Sequence, residues 1–189
     1  RMSFDNPNPT QLENVDAFMP LTFAHELAHK LQTDKLHAYA PARYIVEGQA
    51  EFFKVLVMFN SGLLDDYAAR QVLHKAMAAC TAMADGRSVS DKLAQGTYAF
   101  REPYDCGLAY YFVAYFSSGI NTLDFVDALG KAMRGEEDYS RHKNTLCLLF
   151  EADCQNQRLL GMKGAKPDYL PQIQWLEDVL TSQPLPLLR

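Results

Sequence analysis

Apolar residues recur along this chain at the three-and-four spacing of helices, and turn-forming clusters punctuate them. The first stretch runs from about Asp16 to Leu36, with Asp16 as a candidate cap. Pro20 sits near enough to its start to be tolerated, or else marks the true first turn. A loop through Ala38–Pro41 precedes a second helix that starts near Pro41, continues to Asn60 and stops at Ser61-Gly62. A third spans about Leu64 to Met83 and ends at Asp85-Gly86, and Ser90 to Gln95 reads as a short helical turn. Tyr104 to Ser117 is almost wholly apolar or aromatic, which predicts burial on most sides. It ends at Ser118-Gly119, and Asn121 or Thr122 caps a sixth helix to Met133. Residues 138–160 and 169–181 are further helical stretches. No segment alternates apolar and polar positions long enough to predict a strand, and no repeat of 20–50 residues occurs. The expectation is a mostly α fold with little or no β.

The 189 residues suit one compact domain with a core of its own. Residues 1–15 read as an entry loop or the tail of an upstream part, 16–135 as the core, and 136–189 as a C-terminal helical extension of the same domain. Position 1 is Arg and no targeting segment follows, so the chain reads as a piece of something longer. Its net charge of -5, without a basic block, argues against nucleic acid as a partner. The longest apolar run, Leu108 to Phe116, is far short of the roughly 20 residues that span a bilayer. Cys80, Cys106, Cys147 and Cys154 form no CxxC pair, which removes support for a thiolate zinc site. Their scatter predicts buried free thiols rather than a disulfide framework, and the redox compartment stays open, with an extracytoplasmic setting slightly favoured.

Chemistry concentrates in His25-Glu26-Leu27-Ala28-His29. Helical residues four apart lie about 40° apart around the axis, so His25 and His29 project from one face, one turn apart, where two ring nitrogens can meet one zinc ion. Glu26 is about 100° round from His25, badly placed to ligate but able to reach a water at the ion. A catalytic zinc needs a third protein ligand and an open position. The second helix offers Glu47 after 17 intervening residues, enough for a helix end, a loop and an antiparallel return. Glu51 lies one turn further on the same face and suits the outer ring N–H of one histidine, His25 by preference. The pattern leaves open whether Glu47 and Glu51 exchange these roles. His37, His74 and His142 lack partners at ligand spacing and read as surface or structural; Met77 and Met83 read as core filling.

HELAH followed by VEGQAEFF resembles the gluzincin metallopeptidases, the aminopeptidase N group and more distantly thermolysin. The resemblance implies Glu47 as third zinc ligand. Glu102-Pro103-Tyr104-Asp105-Cys106-Gly107 resembles the PYEKG segment of the same group, whose Tyr donates its hydroxyl to the oxyanion; this implies Tyr104, with Tyr98 as the alternative. The likeness covers about residues 20–135. It departs in having one residue fewer before the Glu ligand, Cys106 in place of Lys, and no amine-binding GAMEN segment in the 24 residues before His25. Aminopeptidase specificity therefore does not carry over.

The resulting expectation is a zincin-like helical catalytic domain: two antiparallel active-site helices followed by a helical bundle, with the upstream sheet missing or reduced. It implies a Zn²⁺-dependent peptidase acting on a peptide or protein, with His25, His29 and Glu47 on the metal, Glu26 as general base, Tyr104 at the oxyanion and Glu51 behind a histidine. The competing expectation is a catalytically inactive scaffold or binding domain that retains the metal site. A zinc hydrolase of non-peptide amides is a third.

Overall fold

The computed structural model describes residues 15–30, 32, 42–83, 95–134 and 169–186. Among them are six helices and no strand: α1 (Val15–His29), α2 (Ala42–Asn60), α3 (Asp66–Met83), α4 (Glu102–Ser118), α5 (Thr122–Arg134) and α6 (Tyr169–Ser182). The mostly α expectation holds. Residues 1–14 of the entry segment, the Ala38–Pro41 loop, the turn from Ser90 and the 138–160 stretch lie outside the described residues, apart from Gln95; Val15, expected in the entry loop, opens α1.

Helix ends follow local chemistry. The Asp65 carboxylate accepts from the Ala68 N–H at 2.7 Å, which starts α3 two residues later than Leu64. Asn121 does the same for Asp124 N–H at 3.0 Å and so caps α5. Pro103 occupies the first turn of α4, where a missing N–H costs nothing, and Gly119 closes that helix at φ 68°. The first helix is shorter than its apolar pattern suggested. It stops at His29, where Lys30 and Gln32 N–H groups bond to the carbonyls three residues back, of Leu27 and His29. Gln32 is thereby turned inward, with consequences for the site.

Helix α4 is the central element, and Leu108 through Ala114 are all buried. It crosses α2 with the two backbones in contact. A Cβ added to Gly48 would stand 2.5 Å from the Gly107 backbone, and one added to Gly107 would stand 2.5 Å from the Tyr44 carbonyl oxygen. Beyond this crossing the helices run the same way, and Phe52 of α2 packs on Tyr111 and Phe112 of α4 and on Phe125 of α5. Helix α3 covers the other flank of α4. α6 adds Ile173, Leu176 and Leu180 to the same core. Arg70 of α3 donates to the Leu180 and Gln183 carbonyls at the end of α6.

One expectation is corrected here. Cys80 and Cys106 are not free thiols but a disulfide joining the end of α3 to the first turns of α4, with Cα atoms 4.8 Å apart. They are 26 positions apart in sequence, so only the packing of α3 on α4 reveals the pair. Cys147 and Cys154 lie outside the described residues.

Candidate metal centre

Helix α2 has two working faces about 100° apart. Gly48 and Phe52 face α4, whereas Glu47 and Glu51 face α1. Contacts between α1 and α2 run in opposite senses, His25 meeting Glu51 and Glu47, then His29 meeting Glu47, then Gln32 meeting Val46. The two helices are therefore antiparallel, and the return brings the carboxylates opposite the imidazoles.

His25 Nε2 and His29 Nε2 lie 3.0 Å apart. Glu47 Oε2 is 3.4 Å from the first and 3.3 Å from the second. Four ligands at zinc bond lengths of about 2.0–2.1 Å and tetrahedral angles stand about 3.3 Å from one another. The triangle of these three atoms thus has the edges of one face of a zinc tetrahedron. Glu47 Oε2 is buried without an aligned hydrogen-bond partner. A buried acceptor left so costs about 1–3 kcal/mol, which a cation at the centre of the triangle would relieve. The residues present fit a zinc ion.

The outer ring nitrogens are also provided for. His29 Nδ1 is 2.8 Å from Gln32 Oε1, and the Gln32 amide donates to the Val46 carbonyl at 2.8 Å and to Gln49 Oε1 at 3.0 Å. Gln32 Oε1 accepts the hydrogen bond donated by His29 Nδ1–H and so leaves the Nε2 lone pair of His29 facing the triangle. Glu51 Oε1 stands 3.0 Å from His25 Nδ1, close but not in line for a full hydrogen bond. Its other oxygen takes the Lys54 ammonium. The geometry thus separates Glu47, near both Nε2 atoms, from Glu51, behind His25.

Electrostatics bind the cluster without metal. Burial works against the charged form of His25, but Glu47 and Glu51 overcome it and raise its pKa from 6.5 to about 9. Glu47 raises His29 above its ordinary value too, against burial. Burial would push Glu47 up, yet the two histidines hold it at about 2.

Tyr104 reaches the cluster because the Gly48–Gly107 contact seats the first turn of α4 against α2. Its ring stacks on His25 with centroids 5.7 Å apart, and its hydroxyl faces Glu47 and Arg43. Burial, and then the Glu47 charge, raise the phenol's pKa, so it is a proton donor at neutral pH. Tyr98 stands further out and accepts from Arg43 Nη1 at 3.0 Å. Glu26 lies exposed on α1, about 100° round the helix from His25 and outside the triangle.

Gln32 and Arg43 are site residues that sequence spacing alone does not mark. Gln32 carried a faint signal, three residues past His29 and so on its side of the helix. Arg43 carried a similar one, a turn before Glu47 on the same face. Comparison with known proteins returns no match: no family model, no curated protein and no solved structure is significantly similar to this chain. Among the described residues, no helix is long and apolar enough to cross a membrane.

Proposed function

We propose that this chain is a zinc-dependent peptidase of gluzincin type, held to its metal by His25, His29 and Glu47. The observation that carries the reading is the triangle of His25 Nε2, His29 Nε2 and Glu47 Oε2, with edges of 3.0, 3.4 and 3.3 Å, sized for zinc. Bound there, zinc would supply Lewis acidity, acidifying a water and polarising a carbonyl.

The chain's own groups account for the rest. Glu26 takes the proton of the attacking water at its carboxylate and delivers it to the departing amine. Its exposure next to His25 in the chain leaves that carboxylate open to solvent and substrate. Tyr104, kept protonated by burial and by Glu47, donates its hydroxyl to the oxygen of the carbonyl under attack. Gln32 and Glu51 keep the two imidazoles turned the right way. The Cys80–Cys106 bond favours an oxidising, extracytoplasmic setting.

Two measurements test this. Metal analysis of the purified protein, with and without added zinc, is expected to show one zinc per chain. A protein that neither holds nor takes up zinc refutes the proposal. Glu26→Gln is expected to retain the metal and lose peptide hydrolysis by about 10²–10⁴-fold. Turnover equal to the parent's removes Glu26 from the base role, and zinc bound with no cleavage of any peptide favours the scaffold reading.

A further inference from the structure

Three cations surround Tyr104 and the triangle, and they differ in what they face. Lys54 is taken by Glu51, and Arg101 Nη2 donates to Asp105 at 2.9 Å. Arg43 is different. Its guanidinium donates to the Tyr98 hydroxyl, lies 5.6 Å from the centre of that ring, and faces the Tyr104 hydroxyl. Among the described residues, no carboxylate pairs with it. A guanidinium carries five N–H donors, and two phenol oxygens leave most of them open. The side chain is only partly buried, so those donors meet solvent at the rim of the site.

We propose that Arg43 is the anchor for a carboxylate of the substrate, and that this carboxylate sets where the chain is cut. The inference rests on the peptidase reading and adds a substrate feature to it. Arg43 stands four residues before Glu47 on α2, one helical turn away, or about 6 Å along the axis. An extended peptide advances about 3.3–3.6 Å per residue. Counted from Glu47, a carboxylate held at Arg43 therefore belongs one to two residues from the bond presented at the triangle. A planar fork matches a carboxylate through two parallel hydrogen bonds, whereas an ammonium would not. Tyr98 fixes the fork from behind by accepting one N–H and by its ring face. The carboxylate can come from a peptide C-terminus or from an acidic side chain, and the chemistry of recognition is the same.

The zinc-loaded protein, parent and Arg43→Met, is offered one peptide in three forms: with a free C-terminal acid, with a C-terminal amide, and as an amide ending in Glu. The parent is expected to prefer a carboxylate-bearing form over the plain amide by about ten- to a hundredfold in kcat/KM. In Arg43→Met the ratio falls towards one, and Arg43→Lys restores it only in part. Preference for the free acid identifies the C-terminus, and equal preference for the Glu-ended amide identifies a side chain. Calorimetric binding of an N-acylated dipeptide acid and its amide, with and without zinc, repeats the comparison without turnover. If the parent cleaves all three forms alike, or the variant keeps the preference, the anchor is refuted while the peptidase reading stands. If nothing is cleaved but the acid binds more tightly only when Arg43 is present, the anchor stands and the peptidase reading falls. Equal binding of acid and amide by the parent refutes the anchor.

Discussion

Helix α2 is held on two sides by opposite means. Towards α4 it touches backbone to backbone at Gly48 and Gly107, and beyond that through Phe52, Tyr111 and Phe112. Towards α1 the contact is polar. His25 and Ala28 are the buried residues of α1 among positions 20–29, while Phe23 and Leu27 are exposed. What joins α1 to α2 is His25, His29 and Gln32 against Glu47, Glu51, Gln49 and the Val46 carbonyl. The apolar seam works by shape and is indifferent to pH. The polar seam works by charge and proton position, so its strength depends on pH and on metal. The cluster of His25, His29 and Glu47 draws on both seams. Glu47 and Tyr104 are carried by the two helices that the apolar seam locks together, and the histidines arrive on α1, which only the polar seam holds against them.

The division can be broken from the apolar side first. Gly107→Ala places a methyl 2.5 Å from the Tyr44 carbonyl oxygen, and helix backbone cannot step aside cheaply. Overpacking of this kind costs typically 1–3 kcal/mol, and here about 3 kcal/mol or more is expected, read from the urea midpoint. The same substitution should lower peptide hydrolysis more than zinc affinity, because parting α4 from α2 withdraws Tyr104 while the three ligands stay on α1 and α2. A variant as stable as the parent would mean that the helices do not touch. Replacing Cys80 and Cys106 together by Ser opens a loop with a sequence separation of 26 and should cost about 3 kcal/mol. Because the bond lies on the far flank of α4, the metal-binding ratio should change little once folding is corrected for. A large loss of zinc affinity in the folded variant would place the disulfide in control of the site.

The polar side should answer differently. Gln32→Ala removes the acceptor at His29 Nδ1 and the bridge to Val46. Zinc affinity is expected to fall about 10–100-fold with a much smaller change in unfolding midpoint. An unchanged affinity would show that the His29 tautomer is set elsewhere. The metal-free protein should also answer to pH. His25, raised to about 9 from 6.5, contributes stability fully below pH 6.5, which is lost as pH rises through about 9. Glu47, lowered to about 2 from 4.5, contributes stability above pH 4.5, which is lost as pH falls towards 2. The metal-free midpoint should therefore be highest between pH 4.5 and 6.5. Zinc affinity should instead climb as pH rises, since the metal requires unprotonated imidazoles. Chelator-treated and zinc-loaded samples unfolded at matched pH values would show the two trends diverge. Parallel curves would mean that His25 and Glu47 do not interact across the seam.

Much of this was legible in the chain. The helices of the described core follow from the spacing of apolar residues, because helical geometry is repeated every turn and needs no partner to be recognised. The same local rule places His25 and His29 on one face and Glu47 and Glu51 on another. The pairing of those faces was reachable as well, since 17 residues between His29 and Glu47 permit an antiparallel return. Gln32 was hidden because the apolar pattern carries the first helix on to Leu36, whereas the chain turns at Lys30 and aims the amide inward.

What only the tertiary structure decided has one physical character: contact between positions far apart in sequence. Gly48 and Gly107 are ordinary glycines until two helices cross at them. Cys80 and Cys106 are two thiols until α3 lies along α4. Arg43 is a surface cation until Tyr98 and Tyr104, more than fifty residues later, are brought against it. Spacing within a helix is dictated by the backbone and can be read from the chain. Spacing between helices is dictated by which side chains, or absent side chains, allow two backbones to approach, and that is settled only by packing.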